Sequence, residues 1–244
     1  MPRDWDAAAY EQLSAPMTRW GETVVGRLDI GGDERVLDAG CGTGRVTEML
    51  LERLPRGRVV ALDGSPSMIA RARERLGEDR VEYVVADLME PLPISGTLDA
   101  ILSTATFHWV RDHGILFRHL AAVLRPGGQL AAQCGGAGNA VSIETAVDQL
   151  GYSFDGNKTF AGVDVTRERL EAAGFTDIEV WLHDEPTPIP PEDFEAFLEN
   201  VCLGGLAEGM SRVERKTFAH EVAVRMPGPE IDYVRLNIRA RRAG

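Results

Sequence analysis

The chain has 244 residues, of which 44% are hydrophobic and 26% are charged. This length and composition predict one globular domain of ordinary size. The longest apolar runs fall far short of the roughly 20 residues that a membrane-spanning helix needs, and the charged start of the chain lacks the apolar stretch of a secretory signal. We therefore predict a cytoplasmic protein with no membrane partner.

Acidic residues outnumber basic ones, with 38 Asp and Glu against 26 Lys and Arg and a net charge of -12. A surface of this sign repels phosphate backbones, so we expect no nucleic-acid partner. The three cysteines, Cys41, Cys134 and Cys202, are too widely and irregularly spaced for a disulfide framework or a zinc site. We expect them to be small buried residues, and we expect no bound metal.

From residue 34 to 134, short apolar β-branched runs alternate with helical periods, which is typical of parallel βαβ units. The pattern predicts strands at 35–39, 58–62, 81–86, 98–103 and 128–134. Ser65 followed by Pro66 predicts the start of a helix, because serine caps a helix and proline suits its first position. His113 and His119 are expected on the surface of the helix that follows Asp112.

Beyond residue 138 the regular alternation breaks and later resumes. Helices are predicted at 139–150, 167–173, 192–203 and 211–225, and strands at 177–183 and 231–239. The proline-rich segment 185–191 predicts a stiff connector. Four arginines near the end of the chain could attract an anion, but we expect them on a solvated strand face and tail: Arg235, Arg239, Arg241 and Arg242.

The run DAGCGTG at 38–44 lies at the first strand-to-helix turn, where glycines let the backbone approach a ligand closely. A nucleoside cofactor is therefore expected. The spacing is GxGxG, and Arg45 occupies the position where a dinucleotide fingerprint has its third glycine. An NAD-dependent oxidoreductase, which is one alternative, thereby loses its specific support.

Two acidic residues end the next two strands, Asp63 and Asp87. The carboxyl ends of parallel strands converge on one crevice, which is where open α/β sheets bind ligands. Asp63 can accept hydrogen bonds from both hydroxyls of a ribose, and Asp87 can accept one from an adenine amino group. These placements predict S-adenosylmethionine as the cofactor. Asp38 either contacts this cofactor or orients the glycine loop.

Residues 34–134 resemble the class I S-adenosylmethionine-dependent methyltransferases, in particular the small-molecule group of the trans-aconitate methyltransferases. The motifs that carry the resemblance are DAGCGTG at 38–44, LDGSPSM at 62–68, ADL at 86–88, FHWV at 107–110 and LRPGG at 124–128. The resemblance implies an α/β fold, Rossmann-like and doubly wound, with a mostly parallel seven-stranded sheet, an antiparallel last strand and a helical lid. It also implies these cofactor-binding residues: Tyr10, Asp38, Gly40, Gly42, Gly44, Asp63, Gly64, Met68, Asp87, Leu88, Ser103 and Thr104.

The resemblance further implies one methyltransferase domain over residues 1–244. Its parts are an N-terminal helical lid at 1–30, a cofactor-binding core at 31–138, and two insertions that cap the substrate, at 139–165 and 190–228. The lid is expected to place Trp5, Tyr10 and Trp20 over the cofactor. The alternative is an N-terminal helix that only packs on the sheet.

His108 and Trp109 follow the fourth strand, where a substrate would meet the methyl group. We expect His108 to act as a general base and Trp109 to line the pocket around the sulfonium. The alternative is that both residues have structural roles. The predicted function is methyl transfer to a small-molecule acceptor, either a carboxylic acid or a natural-product hydroxyl. A catalytically silent regulatory or assembly protein that binds the cofactor is the other alternative, and the oligomeric state stays open.

Overall fold

A computed structural model describes residues 15–153, 159–207 and 209–244, so Trp5 and Tyr10 lie outside the described residues. The strands are β1 Arg35–Ala39, β2 Arg58–Asp63, β3 Val81–Val85, β4 Leu98–Thr104, β5 Leu124–Gly135, β6 Phe175–Asp184, β7 Thr187–Pro188, β8 Glu230–Ile231 and β9 Val234–Arg242. The helices are α1 Ala15–Val25, α2 Arg45–Glu52, α3 Pro66–Leu76, α4 His113–Val123, α5 Val141–Asp148, α6 Val163–Ala172, α7 Phe194–Phe197 and α8 Arg212–Ala223. A short 3₁₀ helix, Phe107–Trp109, follows β4, and a π-helix, Leu198–Cys202, follows α7.

Seven strands form one sheet in the order β3-β2-β1-β4-β5-β9-β6. Strand β9 runs antiparallel to both β5 and β6, whereas the pairings from β3 through to β5 are parallel. The predicted mostly parallel sheet with an antiparallel last strand is confirmed. The strand order reverses between β1 and β4, and a ligand crevice forms at such a reversal in open α/β sheets.

Helices cover both faces of the sheet, so the middle residues of its central strands are buried on both sides and are mostly apolar. A separate apolar cluster lies outside the two sheet faces, and we call it the cap cluster. It joins α1, α5, α7, the π-helix, α8 and the residues before β9 through Trp20, Ile143, Val147, Phe194, Phe197, Leu198, Phe218, Val222, Ile231 and Tyr233.

Helix α1 is docked on the core. Val24 and Val25 are buried in one apolar cluster with residues of β1, β2 and β4, and a Cβ on Gly21 would lie 2.5 Å from the side chain of Val46 in α2. Arg53 donates a hydrogen bond to the carbonyl of Leu28 just beyond the helix (3.2 Å). Helix α1 therefore contributes Val24 and Val25 to the sheet core and Trp20 to the cap cluster.

The structure differs from several expectations from the sequence. His113 is buried, not on the helix surface: its Nε2 lies 2.9 Å from the Phe107 carbonyl, and burial lowers the pKa of its imidazole. The proline-rich connector contains β7, which pairs with β8. The last strand begins at Val234, because residues before it form β8 and the turn that follows.

Arg235 is also buried, with 2% exposure, so the expected solvated face is wrong at this position. The alternating apolar and polar residues of β9 suggested one wet face. Instead, Trp20 of α1 lies over the Arg235 guanidinium, and polar side chains of β5, β9 and β6 form hydrogen bonds with one another. Asn237 accepts a hydrogen bond from Gln133 (2.9 Å) and lies 2.9 Å from Nδ1 of His183. Arg239 is exposed, as expected.

The three cysteines are free and buried, as predicted. Burial raises the pKa of the Cys41 thiol well above its usual value and that of Cys134 to about 12, although the positive charge of Arg235 opposes the shift at Cys134. None of the helices in the described ranges is both long and apolar enough to span a membrane. Among the same residues, no group of His, Cys, Asp and Glu could hold a metal ion.

Candidate active site

The glycine turn between β1 and α2 holds two glycines in places where a side chain would collide. Gly40 has φ +85°, and a Cβ there would lie 2.1 Å from Oγ1 of Thr106. Gly44 has φ +82° and caps α2, where a Cβ would lie 2.9 Å from the side chain of Leu76. These two glycines therefore allow the turn to pack against the loop after β4 and against α3.

Gly42 differs, because a Cβ built on it would meet no atom within 4 Å. Its φ is +53°, and its N–H donates to Oδ2 of Asp63 at 2.9 Å. The missing side chain thus leaves open space on the outer side of the turn, where a ligand can approach the backbone. This cradle fits a nucleoside cofactor.

Asp63 is half-buried and joins two turns at the carboxyl edge of the sheet. Besides the bond from Gly42, its Oδ1 accepts a hydrogen bond from Ser65 N–H at 2.9 Å, and its backbone carbonyl accepts one from Ala86 N–H. Each carboxylate oxygen can accept more than one hydrogen bond. Asp63 can therefore organise the loop and still accept a hydroxyl from a ligand.

Asp38 is fully buried beneath the glycine turn, and its Oδ2 accepts a hydrogen bond from Oγ1 of Thr47 at 2.7 Å. Burial raises the pKa of the Asp38 carboxyl to about 7, and the negative charge of Asp63 acts in the same direction, against the Thr47 hydrogen bond. Two roles were predicted for Asp38. Its position favours the one in which Asp38 orients the glycine loop, through its hydrogen bond with Thr47 of α2.

The remaining predicted cofactor residues beside β2 and β3 lie at the same edge. Met68 is buried in the first turn of α3, where its N–H donates to Oγ of Ser65, and Gly64 is half-buried in the turn before it. Asp87 is half-buried, and its Oδ1 accepts from Met89 N–H at 2.9 Å. Leu88 is buried in the core.

At the end of β4, Ser103 differs from the other predicted site residues. Ser103 is buried, and its hydroxyl donates to the Ala39 carbonyl at 2.6 Å, so its side chain joins β4 to β1 and offers no surface to a cofactor. Thr104 is half-buried at the edge. Ala105 has φ +53°, a conformation that costs on the order of 1 kcal/mol for a residue other than glycine.

Thr106 was missed by the sequence analysis. Its hydroxyl donates to the carbonyls of Thr104 (2.9 Å) and Gly40 (3.3 Å), so it ties the β4 loop to the glycine turn. No sequence motif announces this role, because it depends on the left-handed conformation of the preceding Ala105.

His108 and Trp109 lie in the 3₁₀ helix after β4, half-buried and in ring contact with a centroid distance of 5.0 Å. Nδ1 of His108 accepts a hydrogen bond from Gly135 N–H at 3.3 Å, and the ring stacks on Phe160 at 5.9 Å. In the neutral imidazole the proton is then on Nε2. This arrangement favours a hydrogen-bond donor at Nε2 over a general base.

Comparison with known proteins agrees with this geometry. Residues 36–128 match the family model of the methyltransferase domain. Trans-aconitate 2-methyltransferase of Escherichia coli is 34% identical to this chain over 207 residues, which cover 83% of this chain and 79% of that protein. The chain belongs to the class I S-adenosylmethionine-dependent methyltransferases. It is an enzyme whose cofactor is S-adenosylmethionine, so the oxidoreductase and silent-protein alternatives are set aside.

Solved structures show the same fold for this methyltransferase. A protein of Bacillus halodurans assigned as a methyltransferase matches with a TM-score of 0.67 and 18% identity, covering 92% of this chain and 99% of that one. Phosphoethanolamine N-methyltransferase 2 of Haemonchus contortus in complex with S-adenosyl-L-methionine matches with a TM-score of 0.64 and 21% identity, covering 98% and 57%.

Proposed function

We propose that this methyltransferase transfers a methyl group to a carboxylate of a small organic acid. The observation that carries the proposal is the 34% identity, over 83% of the chain, to trans-aconitate 2-methyltransferase. The charge of -12 further supports a small molecule over nucleic acid as the acceptor.

We further propose how the chain binds its cofactor. Gly42 lets the backbone approach it, Asp63 accepts the ribose hydroxyls, and Asp87 accepts the adenine amino group. Asp38 orients the glycine turn from beneath, through its hydrogen bond with Thr47. S-adenosylmethionine supplies a methyl group already activated by the positive charge on sulfur.

A carboxylate acceptor makes few chemical demands on the protein. One acceptor oxygen forms a bond to the methyl carbon as the carbon–sulfur bond breaks, which gives a methyl ester and S-adenosylhomocysteine with no proton to remove. The chain must therefore align the reactants and exclude water. A hydrogen-bond donor at Nε2 of His108, next to the Trp109 ring, suits the positioning of such an acceptor.

The segments 139–165 and 190–228 are proposed to cover the acceptor together with the N-terminal segment 1–30. Their support is the cap cluster, in which Trp20, Ile143 and Phe197 share one apolar core outside the sheet. This core can hold a cover over the carboxyl edge without using the residues that bind cofactor. Segments of this kind set substrate choice in many enzymes.

The function is tested by incubating the purified protein with S-adenosylmethionine and a panel of acceptors. The panel contains trans-aconitate, fumarate and crotonate as acids, and catechol and a flavonol as hydroxyl acceptors. We expect a methyl ester by mass spectrometry from at least one acid, with stoichiometric S-adenosylhomocysteine. Methylation of a phenol with no ester from any acid would show that the proposed acceptor class is wrong.

A further inference from the structure

Arg235 places a buried positive charge at the carboxyl edge of the sheet. It is the second residue of β9 and is 2% exposed. Because β9 runs antiparallel to β5, its first residues lie beside the carboxyl end of β5, and Arg235 pairs with Gly135. A guanidinium is charged at every physiological pH, and arginine is seldom buried so completely without a role in binding or pairing.

Two aromatic residues around Arg235 belong to the cap cluster. Its guanidinium carbon lies 4.2 Å from the centre of the Trp20 ring and 5.9 Å from that of Tyr233, both in the cap cluster. An aromatic face offsets part of the cost of removing water from a cation and leaves the charge in place. The charge therefore lies where the sheet meets the proposed substrate cover.

The same strand position connects Arg235 with His108. Side chains of paired residues on neighbouring strands extend from the same face of a sheet. The Arg235 side chain therefore extends from the face on which Gly135 has no side chain. A Cβ on Gly135 would lie 2.7 Å from the Phe160 ring, and Phe160 stacks on His108. Gly135 N–H also donates to His108. Arg235 and His108 thus flank Gly135 at one end of the crevice.

The carboxyl edge holds a buried guanidinium at its β9 end, where the carboxylates of Asp184, Glu185 and Asp232 are not buried. Asp63 ends β2 and Asp87 follows β3, on the side where we propose the cationic cofactor binds. Arg235 is the second residue of β9, on the side proposed for the acceptor. With a net charge of -12 the protein gives an anion no long-range attraction. An anionic acceptor therefore needs a local positive charge within the site.

We propose that Arg235 binds a carboxylate of the acceptor other than the one that is methylated, and so selects acids with two or more carboxylates. This inference rests on the carboxylic acid proposed above as the acceptor. The planar guanidinium matches both oxygens of a carboxylate. If it held the attacking carboxylate instead, it would stabilise the negative charge that the reaction removes and weaken both oxygens as nucleophiles.

The test compares fumarate with crotonate, which have the same carbon skeleton and differ by one carboxylate, for wild type and Arg235→Met. We expect Arg235→Met to raise KM for fumarate about 100-fold and to leave KM for crotonate and for S-adenosylmethionine within about twofold. The ratio of kcat/KM between the two acids should fall by the same factor. A loss of packing alone would affect both acids alike.

Arg239→Met is the matched control, because Arg239 lies four residues along the same strand, is exposed and pairs with Glu179 at 3.2 Å. It should keep the wild-type ratio. If Arg235→Met does not fold, Arg235→Lys decides: it keeps the charge without the planar fork and should lower the ratio about tenfold. An unchanged ratio in the folded Arg235 variant would overturn this inference alone, whereas a wild type that methylates phenols and no acid would overturn the proposed function.

Discussion

The two sides of the crevice are built in different ways. On the side proposed for the cofactor, the turns after β1, β2 and β3 follow one another along the chain, and hydrogen bonds between backbone groups and Asp63 hold them together. On the side proposed for the acceptor, Arg235 contacts Trp20 and His108 contacts Phe160, and these four residues come from four separate segments. We infer that the cofactor side depends on backbone conformation, and that the acceptor side can change its chemistry while the sheet is kept.

If the cofactor side depends on its backbone, Gly40→Ala should have the largest effect. The added Cβ would collide with Thr106 at a residue whose φ is +85°. We expect the free energy of unfolding to fall by about 3 kcal/mol, from the collision and the left-handed backbone together. We also expect kcat/KM to fall more than about 100-fold because the turn is displaced. Denaturant titration and initial rates measure the two effects.

Gly42→Ala is the control, because its Cβ would enter open space. It should lose only about 1 kcal/mol of stability while its affinity for S-adenosylhomocysteine falls. Equal stability of Gly40→Ala and wild type would show that the close approach of Thr106 does not constrain the turn.

Replacement of Asp63 tests the proposed cofactor side at one side chain that accepts hydrogen bonds from the backbone of two turns. Asp63→Ala removes the acceptor for Gly42 N–H and Ser65 N–H as well as the proposed ribose contact. We expect S-adenosylhomocysteine to bind about 30- to 200-fold more weakly, which corresponds to about 2 to 3 kcal/mol. Asp63→Asn keeps one acceptor oxygen and should lose less. Calorimetry on both variants, with the exposed Glu90→Gln as control, measures the change, and an unaltered dissociation constant in Asp63→Ala would remove Asp63 from the site.

Asp38 predicts a pH dependence of stability. Its pKa is raised from 3.8 to about 7 in the folded protein, so the folded state binds a proton more tightly than the unfolded state does. The contribution of Asp38 to stability is therefore greatest below pH 4 and is lost as the pH rises towards 7. Asp38→Asn should remove this loss and gain at most about 4 kcal/mol over wild type at pH 7.5.

Urea titrations of both proteins between pH 4 and pH 8 measure the difference, which should widen as the pH rises. Glu52→Gln, an exposed change on the same helix as Thr47, serves as the control. A constant difference between Asp38→Asn and wild type across this range would contradict the raised pKa.

The smallest effect is expected on the acceptor side, at His108. Because a carboxylate brings no proton to remove, kcat/KM should be flat from pH 6 to 9, and His108→Ala should lose less than about tenfold. A rate that rises with pH through the histidine range, together with a loss of about 10²- to 10⁴-fold in the variant, would instead identify His108 as a general base.

The sequence predicts the proposed cofactor side of the crevice better than the proposed acceptor side. The glycine turn, Asp63 and Asp87 could be located because each ends a strand with a strong apolar pattern, and parallel strands bring their ends together. Arg235 could not be located. Its strand alternates like one with a wet face, and the packing of α1, with Trp20 over the guanidinium, makes the arginine a buried charge.

Local conformation explains the other differences. Thr106 reaches the glycine turn because Ala105 adopts a positive φ, and a pattern of residue types does not encode that angle at an alanine. His113 is buried because its ring nitrogen bonds the Phe107 carbonyl at the start of α4. In both cases the conformation and hydrogen bonds of a turn, not the periodicity of an element, decide the position.

The buried cysteines make this methyltransferase convenient to label. Thiol reagents attack the thiolate, so Cys41 and Cys134, buried and with raised pKa values, should react slowly with a maleimide at neutral pH. A cysteine introduced at Val213, which is 74% exposed on α8, should then accept a fluorophore without removal of any native thiol. Its emission would report movement of the cap during turnover in an otherwise unaltered enzyme.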